Sequence, residues 1–377
     1  HGGDEIHLIT GRDAFLTVCV VAVKPDPVEL PQFITLAAGA YGAMTNRTLG
    51  AVELRESNLA LCHGLGSLLP CGDRGSLDPD QGQTARFTCN GTTMEQVNQL
   101  RRLGLFDAKV PRYTSYPPAT KFSNDVDGQV FRDWVQAIPA GTRVSLYLHV
   151  PFCRRLCWFC ACRTQGVQSD TPVQAYVETL KQEIATLGRL LPAGVEVARL
   201  HWGGGTPTLL SAAMMTNLSQ ALRDAFDFTA DSEFSVEIDP NEIDAARIDA
   251  LAAAGMNRAS IGVQDFDPDI QQIIGRLQSY EVTRDAVEAL RAAGIHSLNA
   301  DILFGLPNQS QEKITDSVQM LLSLVPDRVA LYGYAHVPWM AKRQAMIPTE
   351  ALPTPEQRLA LFDTARRLFS WDNFDEI

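Results

Sequence analysis

From about residue 143 onward, short runs rich in β-branched and aromatic residues alternate with stretches whose apolar residues recur every three or four positions. The strand expectations are "RVSLYLHV" (143–150), "VARLHWGG" (197–204), "EFSVEID" (233–239), "RASIGVQ" (258–264), "SLNADILFG" (297–305) and "RVALYGYAHV" (328–337). Between them lie the helix expectations "PVQAYVETLKQEIATLGRLL", "SAAMMTNLSQALRDAF", "NEIDAARIDALAAAG", "YEVTRDAVEALRAAG" and "QEKITDSVQMLLSLV". Two of these close on a glycine, Gly255 and Gly294, the residue expected just past a helix end. Strand, helix, strand repeated this way dictates a parallel sheet with right-handed crossovers. Six such units predict an α/β fold built as a partial (β/α)6 barrel, with a doubly wound open sheet as the alternative.

The same pattern says where chemistry belongs. The first strand runs into a cysteine-rich loop and the second into "GGGTPT"; the third ends at Glu237 and Asp239, and the fourth at Gln264 and Asp265. The fifth ends near Asp301 and the sixth at Ala335 and His336. Polar and glycine-rich residues thus collect at the carboxyl ends of the strands, where barrels and open α/β sheets build their sites.

Charge and composition narrow the partners. A formal net charge of −12 argues against nucleic acid, because phosphate neutralisation needs a basic surface. The most apolar stretch, "AFLTVCVVAV" (14–23), suits a core element or the heart of a signal peptide and is too short to span a membrane. The preceding "HGGDEIHLITGRD" lacks the cationic start of a secretory signal, so the expectation is a cytoplasmic, monomeric protein with no membrane partner. Residues 1–93 show poor periodicity. They are an unassigned extension: a small extra domain, a flexible arm or, preferably, sequence foreign to the natural protein. From Met94 the chain reads as an ordinary protein start, with 94–142 as a lead-in and 143–377 as the barrel.

Of eight cysteines, Cys19, Cys62, Cys71 and Cys89 are scattered without metal-like spacing, whereas Cys153, Cys157, Cys160 and Cys162 crowd into "PFCRRLCWFCACR". A chain this long needs no disulfide framework, and in a reducing compartment such a cluster points to metal or redox chemistry. A four-cysteine zinc site normally uses two separated pairs, and one residue between Cys160 and Cys162 makes a compact tetrahedron awkward. A reactive dithiol is a second alternative. Cys153, Cys157 and Cys160, read as C-x3-C-x2-C, can instead hold one face of a [4Fe–4S] cluster and leave the fourth iron without a protein ligand. That iron can chelate S-adenosylmethionine, whose reductive cleavage yields a hydrogen-abstracting radical. Cys162 stays open between alternative ligand, reacting thiol and bystander.

"YLHVPFCRRLCWFCACR" resembles the signature of radical S-adenosylmethionine enzymes and, within them, of oxygen-independent coproporphyrinogen III oxidases. The resemblance runs from Met94 to the last residue through "VPRYTSYP", "LHWGGGTPTLL", "VEIDP", "IGVQDFD", "NADILFGLP" and "YAHVP". It implies that Cys153, Cys157 and Cys160 hold the cluster, that Tyr147 and Phe159 lie beside S-adenosylmethionine, and that two such molecules bind. Gly204, Gly205 and Thr206 then line the cofactor, Glu237 belongs to the first molecule, and Gln264, Arg276, Asp301 and Ala335 to the second. Cys162 is the candidate for a thiol that takes part in catalysis. The implied reaction is oxidative decarboxylation of two propionates of coproporphyrinogen III to vinyl groups, with a one-electron reductant such as a flavodoxin as partner. Arg112, Arg154, Arg155 and Arg163 are candidate propionate partners.

Two features depart from the family. Residues 1–93 have no counterpart, and "RRLFSWDNFDEI" stops where the family continues into a helical region that helps close the cavity. The expectation is therefore cluster binding with weak or absent turnover, since radical chemistry needs water excluded. A related haem-binding chaperone and a radical enzyme acting on another tetrapyrrole are the competing functions; haem titration separates the first from the oxidase.

Overall fold

A computed structural model describes residues 18–23, 94–106, 126–339 and 341–377. The rest of the 1–93 extension, the "VPRYTSYP" motif and Arg112 lie outside the described residues. In chain order the elements are β1 (Val18–Val23), α1 (Met94–Arg102), α2 (Gly128–Gln136), β2 (Arg143–Val150), β3 (Phe152–Cys153), β4 (Gln165–Gly166) and α3 (Thr171–Leu190). They continue as β5 (Glu196–Gly204), α4 (Ala212–Ala225), β6 (Asp227–Ile238), α5 (Ala245–Ala253), β7 (Arg258–Gln264), α6 (Pro268–Ile273) and α7 (Tyr280–Ala292). Last come β8 (Ser297–Phe304), α8 (Gln311–Ser323), β9 (Arg328–Gly333) and α9 (Pro355–Trp371).

Among the described residues the main sheet runs β1-β2-β5-β6-β7-β8-β9, with β1 antiparallel to β2 and every later neighbour parallel. From β2 on, spatial order follows chain order without reversal. A doubly wound sheet requires a reversal, so the partial (β/α)6 barrel is the arrangement found. The six parallel strands are the six expected from sequence. Two boundaries moved: β6 begins at Asp227, where Asp227 and Phe228 pair with Glu196 and Val197 before a register shift, and β9 stops at Gly333.

Strand β2 shows why one face is covered. Val144, Leu146, Leu148 and Val150 are no more than 1% exposed, while the residues between them are half-buried. Period-two alternation sends the first set to one side of the sheet and the second to the other. Helices α3 and α8 lay apolar stripes into the shared core: Val173, Val177, Leu180, Ile184 and Leu187 from α3, and Ile314, Val318 and Leu321 from α8. Full burial of one such side chain contributes about 1.5–3 kcal/mol before the entropy of ordering it. Ser279 and Ser310 cap α7 and α8 by accepting from the Val282 and Lys313 amides. Gly255 and Gly294 stand at φ +89° and +88° past α5 and α7, as their sequence positions predict.

Candidate functional site

With the apolar side of the sheet occupied by helices, the other side collects the polar residues of every strand. The register sets Tyr147 beside His201, His201 beside Ser235, Glu237 beside Ser260, Ser260 beside Asn299, and Gly262 beside Asp301. Side chains paired in a parallel ladder share a face, so these residues form one polar basin. Asp301 falls inside β8, three residues before its end, rather than near the strand tip expected from sequence. It reaches the basin by alternation, not by loop position.

Bonds knit the basin together. The Tyr147 ring stacks on His201 at 5.6 Å and 16°, and its hydroxyl meets His149 Nδ1 at 3.1 Å. The other nitrogen of His149 lies 3.2 Å from the Arg163 carbonyl in the cysteine loop. His201 contacts Ser235 Oγ at 3.0 Å and Glu237 Oε1 at 3.4 Å. The Gly204 amide donates to Glu237 Oε2 at 3.0 Å, so this carboxylate spans a histidine and a backbone N–H. Asp301 receives a 2.8 Å bond from Asn299, which also donates to Ser260. Burial raises the Asp301 carboxyl to about 6, and the Glu237 charge adds to that.

The glycine run is dictated by crowding. Gly204 sits at φ +115°, and a Cβ there would meet the His149 ring at 2.7 Å. A Cβ on Gly205 would meet the Phe152 carbonyl oxygen at 2.6 Å. Only glycine lets the β5 backbone pass this close to the cysteine loop. The Gly205 amide donates to Val150 O at 2.8 Å, and Thr206, which follows, is buried and hydrogen-bonds the Cys153 thiol.

The loop itself is closed by the β3–β4 pair, with Gln165 N donating to Pro151 O and Val167 N to Cys153 O. Cys153 is buried, Cys157 and Cys160 are half-buried, and Cys162 is exposed. Burial pushes the Cys153 thiol up. The Cys162 thiol donates to Cys160, whose sulfur also accepts the Cys162 backbone N–H at 3.3 Å. Those bonds hold Cys160 down to about 6, aided by the Arg343 and Arg276 charges. The pair thus favours the thiolate, the metal-binding form, at Cys160 and pushes Cys162 up as its donor.

Arg276 ties this loop to the far strands. Its guanidinium lies 3.6 Å from Cys157 Sγ, 3.5 Å from Asp239 Oδ2 and 2.8 Å from the Gly262 carbonyl. Gln264, the last residue of β7, stands at φ +71°, a left-handed backbone that a non-glycine side chain adopts only where its surroundings enforce it. The Ala335 carbonyl, just beyond β9, accepts from Gln344 at 3.1 Å. Of the arginines beside the loop, Arg154 pairs with Asp170, and Arg155 lies 3.4 Å from the Leu277 carbonyl. A surface hollow of about 400 Å³ against Trp158, Ile273 and Met346 lies on the outer side of the loop, away from this basin.

Residues predicted from sequence, Tyr147, Phe159, Gly204, Gly205, Thr206, Glu237, Gln264, Arg276, Asp301, Ala335 and the four loop cysteines, all lie at this end of the sheet. His149, His201, Asn299 and Gln344 were missed. The first three had a signal: each occupies a core-like strand position on the face opposite the apolar residues.

Among the described residues no three His, Cys, Asp or Glu side chains converge on a point suited to a single metal ion. A multi-iron cluster spreads its thiolates over several iron atoms, and the local charges suit such an anionic group. Among the described residues, Arg276 Nε and Arg343 Nη1 are buried without a hydrogen-bond partner and stand on guanidiniums that already address the loop. Three thiols and two cations, beside the Glu237 and Asp301 carboxylates, fit a cluster with a small zwitterionic ligand beside it.

Residues 147–321 match the radical SAM superfamily. The chain is 67% identical over 284 residues to the oxygen-independent coproporphyrinogen III oxidase of Paracoccus denitrificans, covering 75% of this chain and 63% of that protein. It is 60% identical over 284 residues to the enzyme of that name from Cereibacter sphaeroides, with the same coverage. The solved coproporphyrinogen III oxidase of Escherichia coli, described as a radical SAM enzyme, superposes with a TM-score of 0.68 at 37% identity, over 72% of this chain and 62% of that one. The chain thus spans somewhat under two thirds of the length of these relatives. No helix among the described residues is long and apolar enough to cross a membrane.

Proposed function

We propose, for a chain whose residues 147–321 match the radical SAM superfamily, the anaerobic oxidative decarboxylation of coproporphyrinogen III to protoporphyrinogen IX in haem biosynthesis. The observation that supports it is the gathering of Tyr147, Glu237 and Asp301 on one face of the sheet, with Arg276 reaching from the far strands to Cys157 of the cysteine loop, in a chain 67% identical over 284 residues to a protein bearing that name. When bound, a [4Fe–4S] cluster and S-adenosylmethionine supply a one-electron cleavage that generates a 5′-deoxyadenosyl radical.

The protein's part is placement. Cys153, Cys157 and Cys160 are the proposed cluster ligands. Tyr147, Phe159, Gly204, Gly205 and Thr206 are proposed to lie beside S-adenosylmethionine, and Glu237 is assigned to the first such molecule, where a carboxylate suits its amino or hydroxyl groups. Gln264, Arg276, Asp301 and Ala335 are assigned to a second. Cys162, the donor to Cys160, is proposed to tune that ligand while keeping its own thiol protonated. Arg155 and Arg163, on the exposed rim, are the proposed propionate partners; Arg154 is engaged by Asp170. Each vinyl group forms as the propionate loses one hydrogen atom, CO₂ and one electron, so an electron acceptor and an external one-electron reductant such as a flavodoxin complete the reaction. A monomer in the cytoplasm fits this role.

The test is product analysis by mass spectrometry after strictly anaerobic incubation with coproporphyrinogen III, S-adenosylmethionine and a reductant. Loss of CO₂ from two propionates with 5′-deoxyadenosine formation supports the reading. Stoichiometric haem binding with no decarboxylation assigns the chain to the chaperone alternative.

A further inference from the structure

Gln344 is 1% exposed and lies in a 3-10 helix, Lys342–Met346, in the connection between β9 and α9. Its amide nitrogen donates to two carbonyls from distant parts of the chain: Phe159 in the cysteine loop at 2.7 Å, and Ala335 beyond β9 at 3.1 Å. Its oxygen accepts the Val337 amide at 2.6 Å. One side chain thus holds the loop between the second and third candidate cluster ligands against the segment carrying Ala335. Neighbouring Arg343 adds bonds to the Cys162 carbonyl at 3.1 Å and to Thr164 Oγ1 at 2.9 Å.

Geometry leaves little slack in this clasp. Both N–H groups and the oxygen of the amide are used, which is the full complement a buried amide needs to avoid a desolvation penalty. Its partners are backbone groups, so they cannot swing away as side chains do. Displacing Gln344 moves the Phe159 backbone relative to Ala335, and both residues are proposed above to lie beside S-adenosylmethionine.

We infer that Gln344 is a positioning residue that sets the cysteine loop and the Ala335 segment at the separation S-adenosylmethionine binding requires. The inference rests on the proposed radical S-adenosylmethionine function. It makes Gln344 necessary for cofactor response but not for cluster retention, because the β3–β4 pair and the Arg343 bonds also hold the cysteine loop.

The experiment compares the parent protein with Gln344→Met, which keeps volume and removes every hydrogen bond, and with Thr354→Ala. Thr354 caps α9 by accepting from the Gln357 amide and serves as a control for general destabilisation. Each is reconstituted anaerobically, assayed for iron and sulfide, and titrated with S-adenosylmethionine while the EPR spectrum of the reduced cluster is followed. A parent spectrum indifferent to the cofactor overturns the functional reading itself. Given a responsive parent, the expected result for Gln344→Met is parental iron content with at least tenfold weaker apparent affinity, while Thr354→Ala titrates like the parent. Titration of Gln344→Met within twofold of the parent overturns the inference. If Gln344→Met does not accumulate folded protein, Gln344→Glu is used, since it keeps the shape and the bond from Val337 but removes both donors. Failure of both variants to fold assigns the side chain to the fold and likewise overturns the inference.

Discussion

Asp265 and Asp301 are two inward carboxylates on neighbouring strands, and they live in opposite circumstances. Asp265, just past β7, is completely buried and accepts from Gln309 Nε2 at 2.7 Å, Ser317 Oγ at 2.7 Å and the Asp267 amide at 2.8 Å. Gln309 in turn holds the Gly305 and Leu306 amides and the Leu303 carbonyl. Asp301, in β8, is half-buried, receives one bond from Asn299 among the described residues, and faces the charge of Glu237. Burial raises the carboxyl in both cases. The first carboxylate has its donors built in and serves the fold. The second is under-supplied, the condition of a group held ready for a ligand that brings its own positive charge or donors.

Substitution at Asp265 breaks the comparison hardest. Asp265→Ala orphans three buried donors and is expected to cost about 3–5 kcal/mol, read as a fall in the urea midpoint with unchanged slope. Asp301→Asn keeps shape and relieves the buried charge. It is expected to leave stability at neutral pH equal or higher while weakening S-adenosylmethionine binding about tenfold to a hundredfold, a loss of roughly 1.4–2.8 kcal/mol measured by titration of the reconstituted protein. Equal affinity in the variant removes Asp301 from the site.

The same contrast has a pH signature. A folded-state pKa of about 6 against 3.8 means the native protein binds this proton more tightly than the unfolded chain does. The cost of keeping Asp301 ionised is therefore fully present above about pH 6 and fades as pH falls towards the unfolded value. Discounted for partial exposure, this contributes a gain of about 1 kcal/mol between roughly pH 7.5 and pH 5, present in the parent and absent in Asp301→Asn. Unfolding curves for the pair at both pH values check it. The smallest expected effect belongs to Glu237→Gln: with the neighbouring charge removed, the midpoint of that pH-dependent difference moves below about 6.

Much of the fold was written in hydrophobic period. "RVSLYLHV" and "RASIGVQ" became β2 and β7 with the expected limits, because strict alternation leaves one register available. Helix α9 escaped the reading although "TPEQ" encodes its capping box, with Thr354 and Gln357 bonding reciprocally. Its stripe is broken by buried Asp363, which pairs with Arg366 and Arg367 on the same helix. In the site, the cysteine spacing and "GGGTPT" were legible because they are local. Arg276 and Asp301 were reached by resemblance, since a lone arginine or aspartate announces nothing until the sheet folds it beside Cys157 or Glu237. Gln344 had no signal at all: its importance comes from two carbonyls, one of them 185 residues away in sequence.

The measurement closest to the heart of the account is EPR of the anaerobically reconstituted, reduced protein with and without S-adenosylmethionine, alongside iron and sulfide determination. Three loop thiols with an open corner predict about four of each per chain and a spectrum that shifts when the cofactor is added. A chain that retains no cluster, or a cluster whose spectrum ignores the cofactor, contradicts it.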